Sequence, residues 1–565
     1  MYDNGQLWIA QTDAGERVTL NPKLLNRHGL VAGATGTGKT VTLKVMAESF
    51  SDMGIPVFLA DVKGDLSGCA IAGADNENMQ KRIQRFGLAD TSFAYHGYPV
   101  TFWDIFGQKG IPLRTTISEM GPLLLARLME LNDLQSDILN IVFKIADDEG
   151  MLLVDTKDLK AMLNYVAEHT DEYTDDYGKM SPVSIAAIVR ALVALEIAGG
   201  EQFFGEPALN VTDWFSLSSE GKGMINILDS SSLINNGKLY STFLLWLLSE
   251  LFETLPEVGD LDKPKMVFFF DEAHLLFKDA PKVLLEKVEQ VVKLIRSKGV
   301  GIYFCTQNPR DIPDGVLAQL GNKVQHALHA YTPSDQKAVK AAAESFRENP
   351  AFKTYDTIME LGTGEAVVSF MEEGGIPGVA QKVSILPPMS FMGELNPADR
   401  DRFIKGSLLY SKYYQSYDPD SAYEFLERRG IEESRAAEEA QKEAEEAKAR
   451  EKEEKEAAKA AEREERQAQK EAQRQERERT RAEEMEERKK ARAEELEAKK
   501  REREQAAADR RKRQAVKSVG NSVAGTVGRE LGKEAGKSFG KFGKTLGGNV
   551  GASLGRGIIG TLFKI

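Results

Sequence analysis

Apolar positions follow two different spacings along the first 390 residues. Short, nearly unbroken apolar runs recur at Val57-Phe58-Leu59-Ala60, Val100-Thr101-Phe102-Trp103, Met224-Ile225-Asn226-Ile227-Leu228, Met266-Val267-Phe268-Phe269-Phe270 and Gly301-Ile302-Tyr303-Phe304-Cys305. Runs of this kind fit strands buried on both faces, and helical stretches between them predict an α/β fold with a mainly parallel sheet. From Ile117 to about Leu195 the spacing becomes helical (Leu124, Leu128, Leu131, then Ile138, Leu139, Val142, Ile145), which predicts a helical insertion.

Beyond Pro387-Pro388 the pattern winds down through a short helical extension over 391–430 and then breaks. Residues 431–517 are dominated by Glu, Lys, Arg, Ala and Gln. Glu precedes a cation by four residues at Glu451–Lys455, Glu462–Arg466, Glu484–Arg488, Glu495–Lys499 and Glu497–Arg501. Such pairs support an exposed helix by a few tenths of a kcal/mol each, roughly. Large apolar residues are too sparse (Met485, Leu496) for a coiled-coil seam, so a solvated helix is expected, with a disordered linker as the alternative. In 518–565, Gly528, Gly532, Gly536 and Gly540 repeat every fourth residue among Leu, Phe, Val and Lys. On a helix this is a basic amphipathic segment suited to an anionic membrane or a protein partner, and otherwise it is a flexible glycine-rich tail.

Charge follows the same divisions. Residues 1–430 carry 40 basic and 58 acidic side chains, residues 431–517 carry 27 of each, and residues 518–565 carry seven and two. The globular part is thus acidic, which excludes nonspecific coating of nucleic acid over its whole surface but not a locally basic channel. Two cysteines, Cys69 and Cys305, have no metal-ligand spacing and fit a reducing cytoplasm. His326 and His329 are expected to be structural. No signal peptide is evident, and no stretch is expected to be long and apolar enough to span a bilayer. A cytoplasmic location follows as the expectation, with peripheral membrane contact only through the tail.

The chemistry begins at Gly33-Ala34-Thr35-Gly36-Thr37-Gly38-Lys39-Thr40, which fits the Walker A pattern at every fixed position. An apolar run leads in and a helical pattern leads out. Glycines let backbone N–H groups converge on phosphates at a helix N-terminus, with Lys39 reaching the β- and γ-phosphates and Thr40 a Mg²⁺ ion. The strand Met266–Phe270 delivers Asp271 and Glu272, the first suited to hold the metal's ligands and the second to polarise an attacking water. Glu272 tilts the choice from phosphotransfer to hydrolysis.

Gln307 ends the neighbouring apolar run and is the candidate γ-phosphate sensor, with Thr306 and Asn308 weaker ones and a polar strand cap the alternative. Arg296 closes the helix before that run; it either serves a nucleotide on a neighbouring subunit or merely complements the helix dipole. Asp61-Val62-Lys63-Gly64-Asp65 leaves the same sheet edge as the phosphate loop, where Lys63 and Asp65 are either neighbours of the site or part of a simple turn.

Taken with Asn26-Arg27-His28-Gly29-Leu30, Asp61–Gly68 and Gly299–Pro309, these motifs resemble the HerA/FtsK-type translocase ATPases over about residues 5–390. They are most similar to the bacterial YjgR-like branch, the HerA-like helicase C-terminal domain proteins. The resemblance implies a RecA-like P-loop NTPase over 1–390, Mg²⁺-dependent ATP hydrolysis, a homo-oligomer (a hexameric ring) and Arg296 acting in trans. By kinship it implies a helicase-like motor translocating double-stranded DNA. Two features depart from the family: about 30 residues precede the phosphate loop, too few for the small β-barrel of HerA proper, and the segment after Gly430 lies outside the shared region. The alternative function is an ATP-driven or ATP-gated scaffold working on protein partners or at a membrane through the tail.

Overall fold

The computed structural model describes residues 1–233, 236–259, 261–278, 282–476 and 492–501. The expected Gly-rich tail over 518–565 lies outside the described residues, as do the Glu484–Arg488 pair and all of 502–517.

Eight strands run parallel in one sheet, in the order Asn322–Gln325, Gly29–Ala32, Val300–Thr306, Met266–Phe270, Val57–Asp61, Ile225–Asp229, Val100–Asp104 and Ile111–Pro112. Every residue of the central strands is buried, as expected for apolar runs sandwiched by helices. Rings lock the layers: Phe58 stacks on Trp214 with centroids 4.8 Å apart, and Phe50 of the helix Lys39–Asp52 stacks on Phe269 at 6.0 Å. Beyond Asn322–Gln325 the sheet turns antiparallel through Glu365–Ser369, Gln381–Ile385 and Gln6–Thr12. The N-terminal residues therefore complete one flank of the sheet rather than forming a separate module.

Residues 117–195 hold the helices Ile117–Leu128, Asp133–Asp148, Thr156–Glu168, Thr170–Tyr177 and Pro182–Leu195. Reciprocal capping boxes start three of them, at Thr116/Glu119, Asn132/Gln135 and Asp155/Asp158. One expectation is corrected here. The helical stretch Pro182–Phe203, 22 residues, is long and apolar enough by length and composition to cross a membrane. Its apolar stripe Ile185, Ile188, Leu192 and Leu195 is buried against the helices Asp133–Asp148 and Thr156–Glu168. Gly199, at φ 105°, interrupts its regular geometry. The stretch escaped notice because its residues read as one more layer of the insertion.

After the last strand the chain returns across the sheet. Leu395, Ile404, Tyr413, Ala422 and Leu426 are buried with the rest of the unit Met1–Ala436. The helix Ala422–Glu476 begins there, and Arg429 pairs with Glu149 at 2.6 Å. In the second unit, residues 437–459 of this helix are fully exposed, and 492–501 are helical. Glu451–Lys455, Glu495–Lys499 and Glu497–Arg501 form the expected ion pairs.

Candidate nucleotide site

The phosphate loop follows the buried strand Gly29–Ala32 and ends in the helix Lys39–Asp52. It is tied to two flanking strand ends: Gly33 N–H donates to the Thr306 carbonyl (3.3 Å) and Ala34 N–H to that of Ala327 (2.9 Å). Gly38 takes φ 115°, and a Cβ there would lie 3.2 Å from the backbone of Gly364, so only glycine suits the approach. The backbone N–H groups of Gly36, Gly38, Lys39 and Thr40 find no acceptor among the described residues. A ring of free donors at a helix start is what an oligophosphate requires. Lys39 is buried and turns its ammonium onto the Gly33 and Ala34 carbonyls, at 2.6 and 3.0 Å. Burial lowers its pKa, while Glu272 and Asp271 oppose that shift.

Behind the loop, His326 is buried and held to about 4 by desolvation. Its Nδ1–H donates to the Glu365 carbonyl (2.8 Å), which leaves Nε2 to accept from the Thr42 hydroxyl at 2.8 Å. It is a structural prop, as expected.

Parallel register lines up the acidic strand ends. Asp61 pairs with Asp229, and Leu59 with Phe269, so Asp61 and Asp271 stand level at the carboxyl edge of the sheet. Burial, followed by the neighbouring Glu272, raises Asp271 to about 6. A bound divalent cation would reverse that shift. Glu272 has φ 48°, unusual for a non-glycine residue and a sign of local strain. Its carboxylate lies 3.3 Å from His274 Nδ1, and this contact is the main cause of its lowered pKa; His274 is raised in return.

Gln307 Nε2 donates to both Glu272 oxygens, at 3.3 and 3.4 Å. The two weaker sensor candidates are engaged elsewhere: Thr306 bonds Asp311 at 3.3 Å, and Asn308 caps the turn Pro309–Asp311. Lys39, Thr40, Asp271, Glu272 and Gln307 thus gather at one edge around the loop Gly33–Thr40, whose remaining members Ala34, Thr35, Gly36 and Thr37 form its wall. These residues fit Mg²⁺-ATP: a donor-lined cradle, a hydroxyl and carboxylate for the metal, and a second carboxylate for water.

Arg296 is not among them. It precedes the strand Val300–Thr306, whose seven residues separate it from Gln307 by about 20 Å. There it lines a cavity of about 330 Å³ together with Arg27, Lys293 and Lys323. No carboxylate is among the described residues lining this cavity. Lys323 pays for burial with a lowered pKa and donates to the Ser345 carbonyl at 2.8 Å. Arg27, Lys293 and Lys323 were not singled out from the sequence, because no spacing links them; adjacent strand starts do.

The model of the helicase HerA-like C-terminal family matches residues 6–469. The chain belongs to that family. Among its relatives, the DNA double-strand break repair helicase HerA of Sulfurisphaera tokodaii is 22% identical over 414 residues, covering 71% of this chain and 72% of the relative. The DNA import protein CedB of Sulfolobus acidocaldarius is 23% identical over 365 residues, 62% of this chain and 51% of its own length. Of solved structures, the bacterial conjugative coupling protein TrwB covers 69% of this chain and 91% of its own at 15% identity, with a TM-score of 0.46. In this HerA-like chain the family match extends past residue 390 and past Gly430 to residue 469, which corrects the expectation that the segment after Gly430 lies wholly outside the shared region.

Proposed function

We propose that the protein is a Mg²⁺-ATP-hydrolysing motor that works as a ring of identical subunits on double-stranded DNA. The observation that carries this reading is the division of the machinery between the two edges of one sheet. A phosphate cradle with its carboxylates occupies one edge, and a cavity whose described lining includes Arg296, Lys293 and Lys323 occupies the other. A phosphoryl-transfer site wants cationic stabilisation at the γ-phosphate, and Arg296 cannot reach the cradle of its own chain. A head-to-tail neighbour supplies it, and head-to-tail contacts that close make rings.

Within the subunit, Lys39 turns from the loop carbonyls to the β- and γ-phosphates, and the free amides of the loop hold their oxygens. Mg²⁺, held through Thr40 and Asp271, would neutralise charge on the phosphates. Glu272 orients and deprotonates the attacking water, and Gln307, bonded to Glu272, reports whether the γ-phosphate is present. DNA as the track rests on the names of the HerA and CedB relatives. With both cysteines buried and unpaired, the cytoplasm is the compartment we assign.

The test is ATP turnover by the full chain with and without duplex DNA, alongside the oligomer's mass in solution. Turnover stimulated by DNA in a multi-subunit particle is the expected result; a monomer with unstimulated turnover would remove the motor reading.

A further inference from the structure

Lys63 lies two residues past Asp61 and therefore emerges beside Asp271 at the nucleotide edge. Its charge lowers the pKa of both Lys39 and Asp271, so it lies within electrostatic reach of the nucleotide edge. The residue is exposed, and its side chain has no hydrogen-bond or ion-pair partner among the described residues.

The turn that carries it is fixed far more firmly than an ordinary surface turn. Asp61 accepts from the N–H groups of Gly64 (2.8 Å) and Leu66 (3.2 Å). Ser67 Oγ donates to the Gly64 carbonyl (2.6 Å) and accepts from Leu395 N–H, 328 residues later, at 2.9 Å. Gly68 is clamped by the same strap: a Cβ there would meet the Phe391 and Gly393 carbonyls at 2.3 and 2.4 Å. A turn immobilised from several sides around a cation that pairs with nothing is built to meet a ligand's anion.

We propose that Lys63 is a second phosphate-binding cation of the same subunit, contacting the terminal phosphate of the nucleoside triphosphate held by the loop Gly33–Thr40, with the strap Phe391–Leu395 positioning it. This rests on the nucleotide-binding reading above and adds a discrimination: Lys63 separates triphosphate from diphosphate. Lys39 serves the phosphates common to both, whereas Lys63, carried on the turn after the neighbouring strand Val57–Asp61, is assigned the terminal phosphate alone.

The experiment titrates the full chain with fluorescent ADP and with a slowly hydrolysed ATP analogue, both with Mg²⁺. Lys63→Ala should weaken the ATP analogue about ten-fold or more while changing ADP by less than about two-fold, as for loss of one charge-assisted hydrogen bond. Lys63→Arg should recover most of the difference. Ser67→Ala should shift the same ratio in the same direction by a smaller factor. Equal weakening of both nucleotides, or no change in either, overturns the assignment. A wild-type chain that binds both nucleotides without turnover defeats the hydrolysis reading alone, since the affinity ratio still judges Lys63. A wild-type chain that binds neither overturns both.

Discussion

The two edges of the parallel sheet are chemical opposites. At the carboxyl ends of the strands stand Asp61, Asp229, Asp271 and Glu272, interleaved with free backbone donors and Lys39. At the amino ends stand Arg27, Lys293, Arg296 and Lys323 around a cavity with no carboxylate among its described lining residues. Neither edge is a complete site for hydrolysis. The first carries lysines toward the phosphates and engages Arg400 in an ion pair with Asp229 at 2.7 Å; the second has arginines around its cavity and no cradle. On the proposed reading the contrast teaches that the catalytic unit would be a pair of chains, although each chain folds around one sheet.

The largest expected effect tests this division directly. Arg296→Ala should reduce kcat by about 10³-fold or more while leaving nucleotide affinity nearly unchanged, as for an arginine supplied in trans. Lys39→Ala should abolish binding and turnover. Mixing the two inactive variants should restore part of the activity, because some interfaces then join an intact cradle to an intact arginine; no recovery would break the comparison. Next in size, Glu272→Gln should lower turnover by about 10²-fold or more with binding retained, measured by single-turnover hydrolysis. Gln307→Ala should cost about ten-fold or less, since it removes a hydrogen bond to Glu272 rather than the base itself.

The smallest expected effect concerns pH. Glu272 is lowered and His274 raised by their mutual contact. The Glu272 contribution to stability is present above its unfolded pKa and lost as pH falls through the lower folded value. That of His274 is present below its unfolded pKa and lost as pH rises through the raised one. The pair therefore stabilises most between about 4.5 and 6.5, by about 1 kcal/mol or less given the partial exposure of His274. Thermal melts of His274→Ala against wild type should differ in that window and converge as pH rises through the raised His274 value.

The carboxyl edge was largely legible in the sequence, and the amino edge was not. Gly33–Thr40 and Asp271-Glu272 are contiguous, because a strand end, a turn and a helix start must follow one another along the chain to make a cradle. Gln307 was already preferred over Thr306 and Asn308 in the sequence, and the fold engages those two in a turn. The cavity around Arg296 draws Arg27, Lys293 and Lys323 from separate segments. They meet because Asn322 pairs beside Gly29 and the strand Val300–Thr306 lies on that strand's other side. Register of this kind leaves no trace in residue spacing. The apolar stretch Pro182–Phe203 overturned the expectation of no span-length segment because its residues read as one more helix of the insertion.

If Arg296 acts in trans as proposed, its place about a strand's length from its own cradle would also make the reaction sensitive to dilution. An isolated chain would then hold nucleotide but lack the group that hastens its cleavage, so specific activity should climb steeply with protein concentration and then level off. Dissociated subunits would be quiet by construction, and ATP consumption would be confined to chains that have found their neighbours.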